Sequence, residues 1–290
     1  MDRTFPNPQF FEFRGRKLAY YTYQATGEHV LWLHANGYSA LTYHPLLLQM
    51  QKAGYQVHAL DFLGHGASAG EAGDITSWND FRDQILALMD HLALERSLAV
   101  GHSIGGATAS LAAAQDGARR IRGVTMLDPV VVTPFLSYFL QYFENPLAVG
   151  AEKRRRVFKS LKIVARSFRM NPGFRDWDED VFQCYLDSCF RARDDGQFEL
   201  CLDPAIEAKI FRAVQAGQWK QHKRVAVPRM VLAAHKSSVT PVKACRLLPR
   251  AHSLSRWEIH PTGSHMFPME HPDWVIAKIL EFFARVREAD

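Results

Sequence analysis

The 290-residue sequence holds only four cysteines, Cys184, Cys189, Cys201 and Cys245. None forms a C-x-x-C pair or stands with histidines at zinc spacing, which argues against a disulfide scaffold and a structural zinc site. Reduced, partly buried thiols in a cytoplasmic protein are the expectation. Long apolar runs are missing too: none reaches the roughly 18 residues of a membrane span. The nearest, VVVTPFLSYFLQYFENPLAV, is broken by Pro134, Gln141 and Glu144. The start, MDRTFPNPQF, lacks the basic and then apolar regions of a secretory signal. Positive charge is not spread either. The formal net charge is +5, yet residues 151–170 hold eight Lys or Arg against Glu152, so the remainder sums to −2. A broad basic face with interleaved aromatics is therefore lacking, and with it the footprint of a nucleic-acid binder. One shortage is local: no Asp or Glu occurs between Glu207 and Glu258.

What is present is alternation. Short apolar runs and helical patterns take turns over the first 130 residues, as in a mainly parallel sheet flanked by helices. FFEF and LAYYTYQ predict a leading hairpin around Arg14-Gly15-Arg16, and HVLWLHA, YQVHALDF, SLAVGHS and GVTMLDP predict buried strands. RMVLAAH and SRWEIHP add two more near the end. Phe81, Ile85, Leu88 and Leu92 share one helical face after a cap at Ser77, and Pro272 opens a final helix over 272–287. Alternation stops between 133 and 222, where the sequence is helix-like and aromatic-rich. The expected organisation is a core of 1–132 and 223–290 with 133–222 inserted as a cap.

Four motifs carry chemistry. VGHSIGG (100–106) places Gly101-x-Ser103-x-Gly105 between an apolar strand and a small-residue helix. A serine on so sharp a turn projects its hydroxyl beside a helix N-terminus, and flanking glycines remove Cβ atoms that would collide there. LHANGYS (33–39) ends another strand in a loop that can offer a backbone N–H at Asn36, to act with that of Ile104 on a developing oxyanion. DFLGHGAS (61–68) reads as a structural turn. TGSHMFPMEHP (262–272) puts His265 in a loop after the last strand, from which a base can approach the serine. His271, beside Pro272, reads as structural.

These four motifs, in this order and at this spacing, resemble those of the α/β-hydrolase fold superfamily over nearly the whole chain. The resemblance implies an eight-stranded, mostly parallel sheet flanked by helices, with a helical cap inserted after the sixth strand. It also implies Ser103 as nucleophile, His265 as general base, and Asn36 and Ile104 as oxyanion N–H donors. No cofactor and no metal are implied.

The family's acid usually follows the seventh strand, where this chain has AHKSSVTP with Ser237 at that place and no carboxylate nearby. Asp128, in GVTMLDP, ends the sixth strand, a place some lipases and the haloalkane dehalogenases of this fold use. Asp128 is therefore the expected acid, with Asp203, Glu207 or no acid as the alternatives. Serine chemistry at a carbonyl points first to esters. The greasy stretch from Val130 to Phe143 points to apolar acyl groups, with Phe135, Tyr138, Phe139 and Met266 as expected substrate contacts. Thioester, amide or C–C hydrolysis, cofactor-free haloperoxidase chemistry and a binding protein with a vestigial site remain alternatives. In 151–169, Val157, Leu161, Val164 and Phe168 form one stripe among basic residues. That pattern fits a solvated cap helix, or a surface over 151–170 that docks on anionic lipid. Oligomeric state is left open.

Overall fold

The computed structural model describes residues 4–134, 144–214, 217–237, 239–248 and 252–289. Strands β1 (Gln9–Phe13) and β2 (Arg16–Tyr23) form the leading hairpin, turned by Arg14 and Gly15 at positive φ. This two-residue, positive-φ turn matches the right-handed twist of the strands it joins. Five parallel strands follow in chain order: β3 (His29–Leu33), β4 (Gln56–Leu60), β5 (Ser97–His102), β6 (Ile121–Leu127) and β10 (Arg229–Lys236). With β11 (Arg256–Ser264) they complete an eight-stranded sheet in the order β1-β2-β4-β3-β5-β6-β10-β11. β2 runs antiparallel to both β1 and β4, and the other neighbouring pairs are parallel.

Side-chain alternation explains the layers. In β3, Val30 and Trp32 face the cluster that holds α1 (His44–Lys52) and the last helix, α12 (Pro272–Glu288). Leu31 and Leu33 face the cluster that holds α2 (Trp78–His91) and α3 (Ile104–Asp116). Ser77 caps α2 in a reciprocal arrangement: its hydroxyl accepts from the N–H of Asn79, and Asp80 Oδ2 accepts from the N–H of Ser77. Both faces are covered, so the central strands are apolar throughout rather than alternating.

Between β6 and β10 the chain leaves the sheet. It forms α4 (Pro146–Glu152), α5 (Leu161–Arg169), α6 (Pro172–Arg175), α7 (Glu179–Cys189), α8 (Pro204–Arg212) and α9 (Gln218–His222). Three of these begin at a proline preceded by a side-chain cap. Asn145, Asn171 and Asp203 each accept the N–H two residues on. The stretch is not purely helical. Strands β7 (Val157–Phe158), β8 (Phe190–Ala192) and β9 (Phe198–Leu200) form a small antiparallel sheet in the order β7-β9-β8. The stripe expected over 151–169 is corrected accordingly: Val157 lies in β7, and Leu161, Val164 and Phe168 lie on α5.

Its basic residues are likewise divided. Arg154 pairs with Glu207 at 2.9 Å and donates to the Tyr185 hydroxyl, Arg156 pairs with Asp203, and Arg169 pairs with Glu179. Periodicity alone cannot see a strand of two residues or ion pairs about 50 residues apart in sequence.

Tyr38, in the loop after β3, packs against Trp177 (tilted) and Tyr185 (edge-on) of the insertion at 5.5 and 5.6 Å between centroids. The remaining helices are α10 (Val242–Leu247) and α11 (Phe267–Glu270). None of Cys184, Cys189, Cys201 and Cys245 is in a disulfide. Among the described residues no helix is long and apolar enough to cross a membrane.

Candidate active site

Ser103 sits between β5 and α3 with φ 57° and ψ −117°. A non-glycine residue there holds about 1–3 kcal/mol of backbone strain, which the surrounding structure must offset. The flanking glycines make the turn possible. A Cβ on Gly101 would come within 2.2 Å of the Gly105 backbone, and one on Gly105 within 2.3 Å of the Leu33 carbonyl oxygen. The same contact sets the start of α3 against the end of β3, and so beside the loop that carries Asn36.

Three side chains converge at the C-terminal edge of the sheet. Ser103 Oγ lies 3.0 Å from His265 Nε2, and His265 Nδ1 lies 2.6 Å from Asp128 Oδ2. Asp128 follows β6 at positive φ (38°) and is fully buried, while His265 keeps slight access to solvent. Two further groups hold the carboxylate: the Ala234 N–H donates to Oδ1 at 2.9 Å and the Ser237 hydroxyl to Oδ2 at 2.7 Å. The carboxylate thus meets imidazole, hydroxyl and amide together, which fixes its orientation.

The other acids of the expectation lie elsewhere. Asp203 caps α8 and pairs with Arg156, and Glu207 pairs with Arg154.

The loop that carries Asn36 is held by its neighbours. Gly37 N–H donates to His65 Nε2 at 3.3 Å and Tyr38 N–H to the Ala35 carbonyl, which leaves Asn36 N–H as the unengaged amide of this turn among the described residues. The N–H of Ile104 is the first of α3 and has no intrahelical acceptor. The Asn36 side chain is occupied: its Nδ2 donates to the Glu207 carbonyl at 3.2 Å.

The turn 61–68 proves to be the support of this loop. Asp61 accepts from the N–H groups of Ala40 and Ala67 and from the Tyr21 hydroxyl. Burial outweighs these bonds and pushes its carboxyl up to about 6. Gly66 is obligatory there, since any Cβ would overlap that carboxylate.

Sequence reasoning missed the histidines underneath. The Tyr43 hydroxyl donates to His102 Nδ1 at 2.7 Å, and His102 Nε2–H donates to the His265 carbonyl at 2.9 Å. His34 Nδ1–H donates to the Ala35 carbonyl, and its Nε2 accepts from Phe62 N–H. Burial holds His34 and His102 well below the usual histidine range and pulls His65 down to about 4, so all three stay neutral. The signal was present in the sequence, as three histidines each directly after or within a strand-ending motif, but each looked like part of a turn. Glu270 adds a clamp above: its carboxylate accepts the N–H and hydroxyl of Ser264, and Ser264 Oγ accepts the N–H of Met266.

Of the expected substrate contacts, Met266 is half-buried and its sulfur accepts from the Tyr38 hydroxyl at 3.6 Å. Phe135, Tyr138 and Phe139 lie outside the described residues. A cavity of about 570 Å³ opens elsewhere, between residues 64–72 and Arg156, Arg191, Asp203 and Ile206. None of Ser103, His265 and Asp128 lines it, and its arginines are paired with Asp203 and Glu199.

The chain is similar to known proteins over most of its length. The dihydrolipoyllysine-residue acetyltransferase component of the acetoin cleaving system of Pseudomonas putida is 27% identical over 97% of this chain and 70% of its own length. Haloalkane dehalogenase 2 of Mycobacterium tuberculosis is 29% identical over 42% of this chain and 44% of its own length, less than half of that relative. Among solved structures, E-2-(acetamidomethylene)succinate hydrolase superposes with a TM-score of 0.81 at 20% identity, covering 96% of this chain and 99% of that one. Residues 30–278 match the profile of the alpha/beta hydrolase family, and the chain belongs to that family.

Proposed function

We propose that this protein is a serine hydrolase that cleaves carboxylic esters of apolar acyl groups. The observation that carries the reading is the continuous chain from Ser103 Oγ through His265 to buried Asp128, at 3.0 and 2.6 Å. In this reading His265 Nε2 takes the Ser103 proton as Oγ attacks the ester carbonyl carbon. Asp128 holds the Nδ1–H tautomer and stabilises the imidazolium that forms. The tetrahedral oxyanion lies against the N–H groups of Asn36 and Ile104. Collapse breaks the C–O bond, and the leaving alkoxide takes the proton from His265. Water then attacks the acyl-Ser103 ester, its proton passing to His265; on collapse Ser103 Oγ leaves, takes that proton back, and the acid is released.

Support for an apolar acyl group comes from the neighbours of the site: Met266 follows His265 and accepts from the Tyr38 hydroxyl, and Val130 N–H donates to the Ser103 carbonyl. A serine nucleophile separates this chemistry from an aspartate-based displacement. The strained Ser103 favours an active site over a vestigial one, because a binding protein has no use for that strain.

A panel of p-nitrophenyl esters of increasing acyl length, with wild type and Ser103→Ala, tests the reading. Turnover that rises with acyl length and vanishes in Ser103→Ala is the expected result. Equal turnover in both proteins refutes it, and a wild type that is inert to the panel yet labelled at Ser103 by a fluorophosphonate moves the substrate away from esters.

A further inference from the structure

Ser237 stands where the sequence has no carboxylate for fifty residues, yet its hydroxyl reaches the carboxylate that counts. Its Oγ is 2.7 Å from Asp128 Oδ2, the same oxygen that lies 2.6 Å from His265 Nδ1. A serine hydroxyl has one proton to give and two lone pairs to receive. The N–H groups of Val239 and Thr240 approach the Ser237 oxygen at 3.4 Å each, on the receiving side. The proton is thereby aimed at Asp128. The hydroxyl is itself held, because Ser237 N–H donates to the Ala234 carbonyl and Ala234 N–H donates to Asp128 Oδ1. Thr240 closes the same strap, its hydroxyl donating to the Pro129 carbonyl and accepting from Val131 N–H.

Resting on the reading of Ser103, His265 and Asp128 as a triad, we propose that Ser237 is a positioning residue for the acid. It does two things. It fixes the rotation of the Asp128 carboxylate, so that Oδ2 and not Oδ1 faces His265. It also draws part of the negative charge of Oδ2 toward its own proton, which tempers how strongly Asp128 holds an imidazolium. Without the hydroxyl the carboxylate is freer to turn, and the charge facing His265 is greater.

The clean comparison is Ser237→Thr against Ser237→Val, two side chains of one shape of which only threonine carries a hydroxyl. The readouts are the pH profile of fluorophosphonate labelling of Ser103 and the downfield proton resonance of His265 Nδ1–H, identified by its loss in His265→Gln. Ser237→Val is expected to slow labelling about tenfold, the worth of one hydrogen bond to a charged group. Its acid limb moves to higher pH by about half a unit, and the Nδ1 proton moves further downfield. Ser237→Thr returns all three toward wild type. If valine and threonine behave alike, in rate, pH limb and resonance, Ser237 only fills space and the proposal falls. A wild type that is not labelled at all removes the hydrolase reading instead, and the resonance of His265 still decides the role of Ser237.

Discussion

The ends of β6 and β10 lie side by side in the sheet and have opposite characters. At the end of β6, Asp128 is fully buried at φ 38°, its N–H donating to the Leu232 carbonyl of β10. At the end of β10 the pairing with β11 shifts register between Ala234 and Lys236, and His235 and Lys236 are exposed. One strand ends inside the protein, and its neighbour ends in a bulge that leans outward. A carboxylate on the buried end is surrounded by donors and stays oriented, whereas one on the bulged end would be more hydrated. This chain puts the charge on the rigid end and a hydroxyl on the looser one. The contrast gives physical content to a missing carboxylate: in the proposed triad the bulged end holds the Asp128 carboxylate through the Ser237 hydroxyl and does not supply the acid itself.

The hardest way to break this comparison is to remove the acid. Asp128→Asn is expected to lower kcat on the most reactive ester of the panel by about 10⁴-fold, the cost of leaving His265 in the wrong tautomer. Near-wild-type turnover there would mean that β6 does not supply the acid. A second change sharpens the contrast. With Asn at 128, Ser237→Asp places a carboxylate where a hydroxyl now stands 2.7 Å from Oδ2, within reach of the same imidazole. The double variant is expected to regain about tenfold to a hundredfold over Asp128→Asn, remaining below wild type because its new charge is half-exposed. No recovery at all would show that the bulged end cannot point a side chain at His265.

Much of this was legible in the sequence, and the divide follows range. The β-α alternation, the Ser77 cap and the strand-end places of Ser103, Asp128 and His265 rest on local pattern and on order along the chain, while the expectation of Asp128 as the acid rests on the resemblance to the family. The hydroxyl of Ser237 on Asp128 joins residues 109 apart, and the His102 hold on the His265 carbonyl joins residues 163 apart. Neither has a local signature. The insertion was the least legible part, because its small sheet uses strands of two and three residues and its buried charge pair joins Arg154 to Glu207, 53 residues later. Residues 151–169 read as one stripe because hydrophobic spacing continues across a turn and a short strand.

The contrast between buried and exposed strand ends also predicts how stability responds to acid. His34 and His102 follow or end buried strands, whereas His235 lies at the exposed end of one that is otherwise buried. Burial depresses six histidines: His34 and His102 well below the usual range, His58 and His65 to about 4, His222 to about 3, and it lowers His260 as well. A folded histidine that resists protonation contributes stability fully above about pH 6.5, and that contribution is lost as pH falls, because only the unfolded chain takes up the proton. Asp61 acts the other way. Its folded carboxyl, raised to about 6, binds a proton before the unfolded one does, so it returns some stability between about pH 6 and 4. The depressed histidines outnumber Asp61, so the net slope is a loss of stability as pH falls below about 6.5. Urea unfolding at pH 7.0, 6.0 and 5.5 checks this, with a steep fall below pH 6.5 expected. A stability flat to within about 1 kcal/mol over that range would mean these histidines are not held neutral by the fold.

The smallest expected effect tests the insertion as a rival source of the acid. Asp203 accepts the Ala205 N–H at the start of α8 and pairs with Arg156, so its carboxylate is committed on the side of the molecule that faces residues 64–72. Asparagine is as good a helix cap, and the half-exposed ion pair it removes is worth at most about 1 kcal/mol. Asp203→Asn is therefore expected to leave ester turnover within about twofold, since less than 1 kcal/mol separates such rates, and to leave its pH profile unmoved. A loss approaching that of Asp128→Asn would place the working carboxylate in the insertion. The geometry argues against that outcome, because a carboxylate that holds α8 and Arg156 cannot also orient His265.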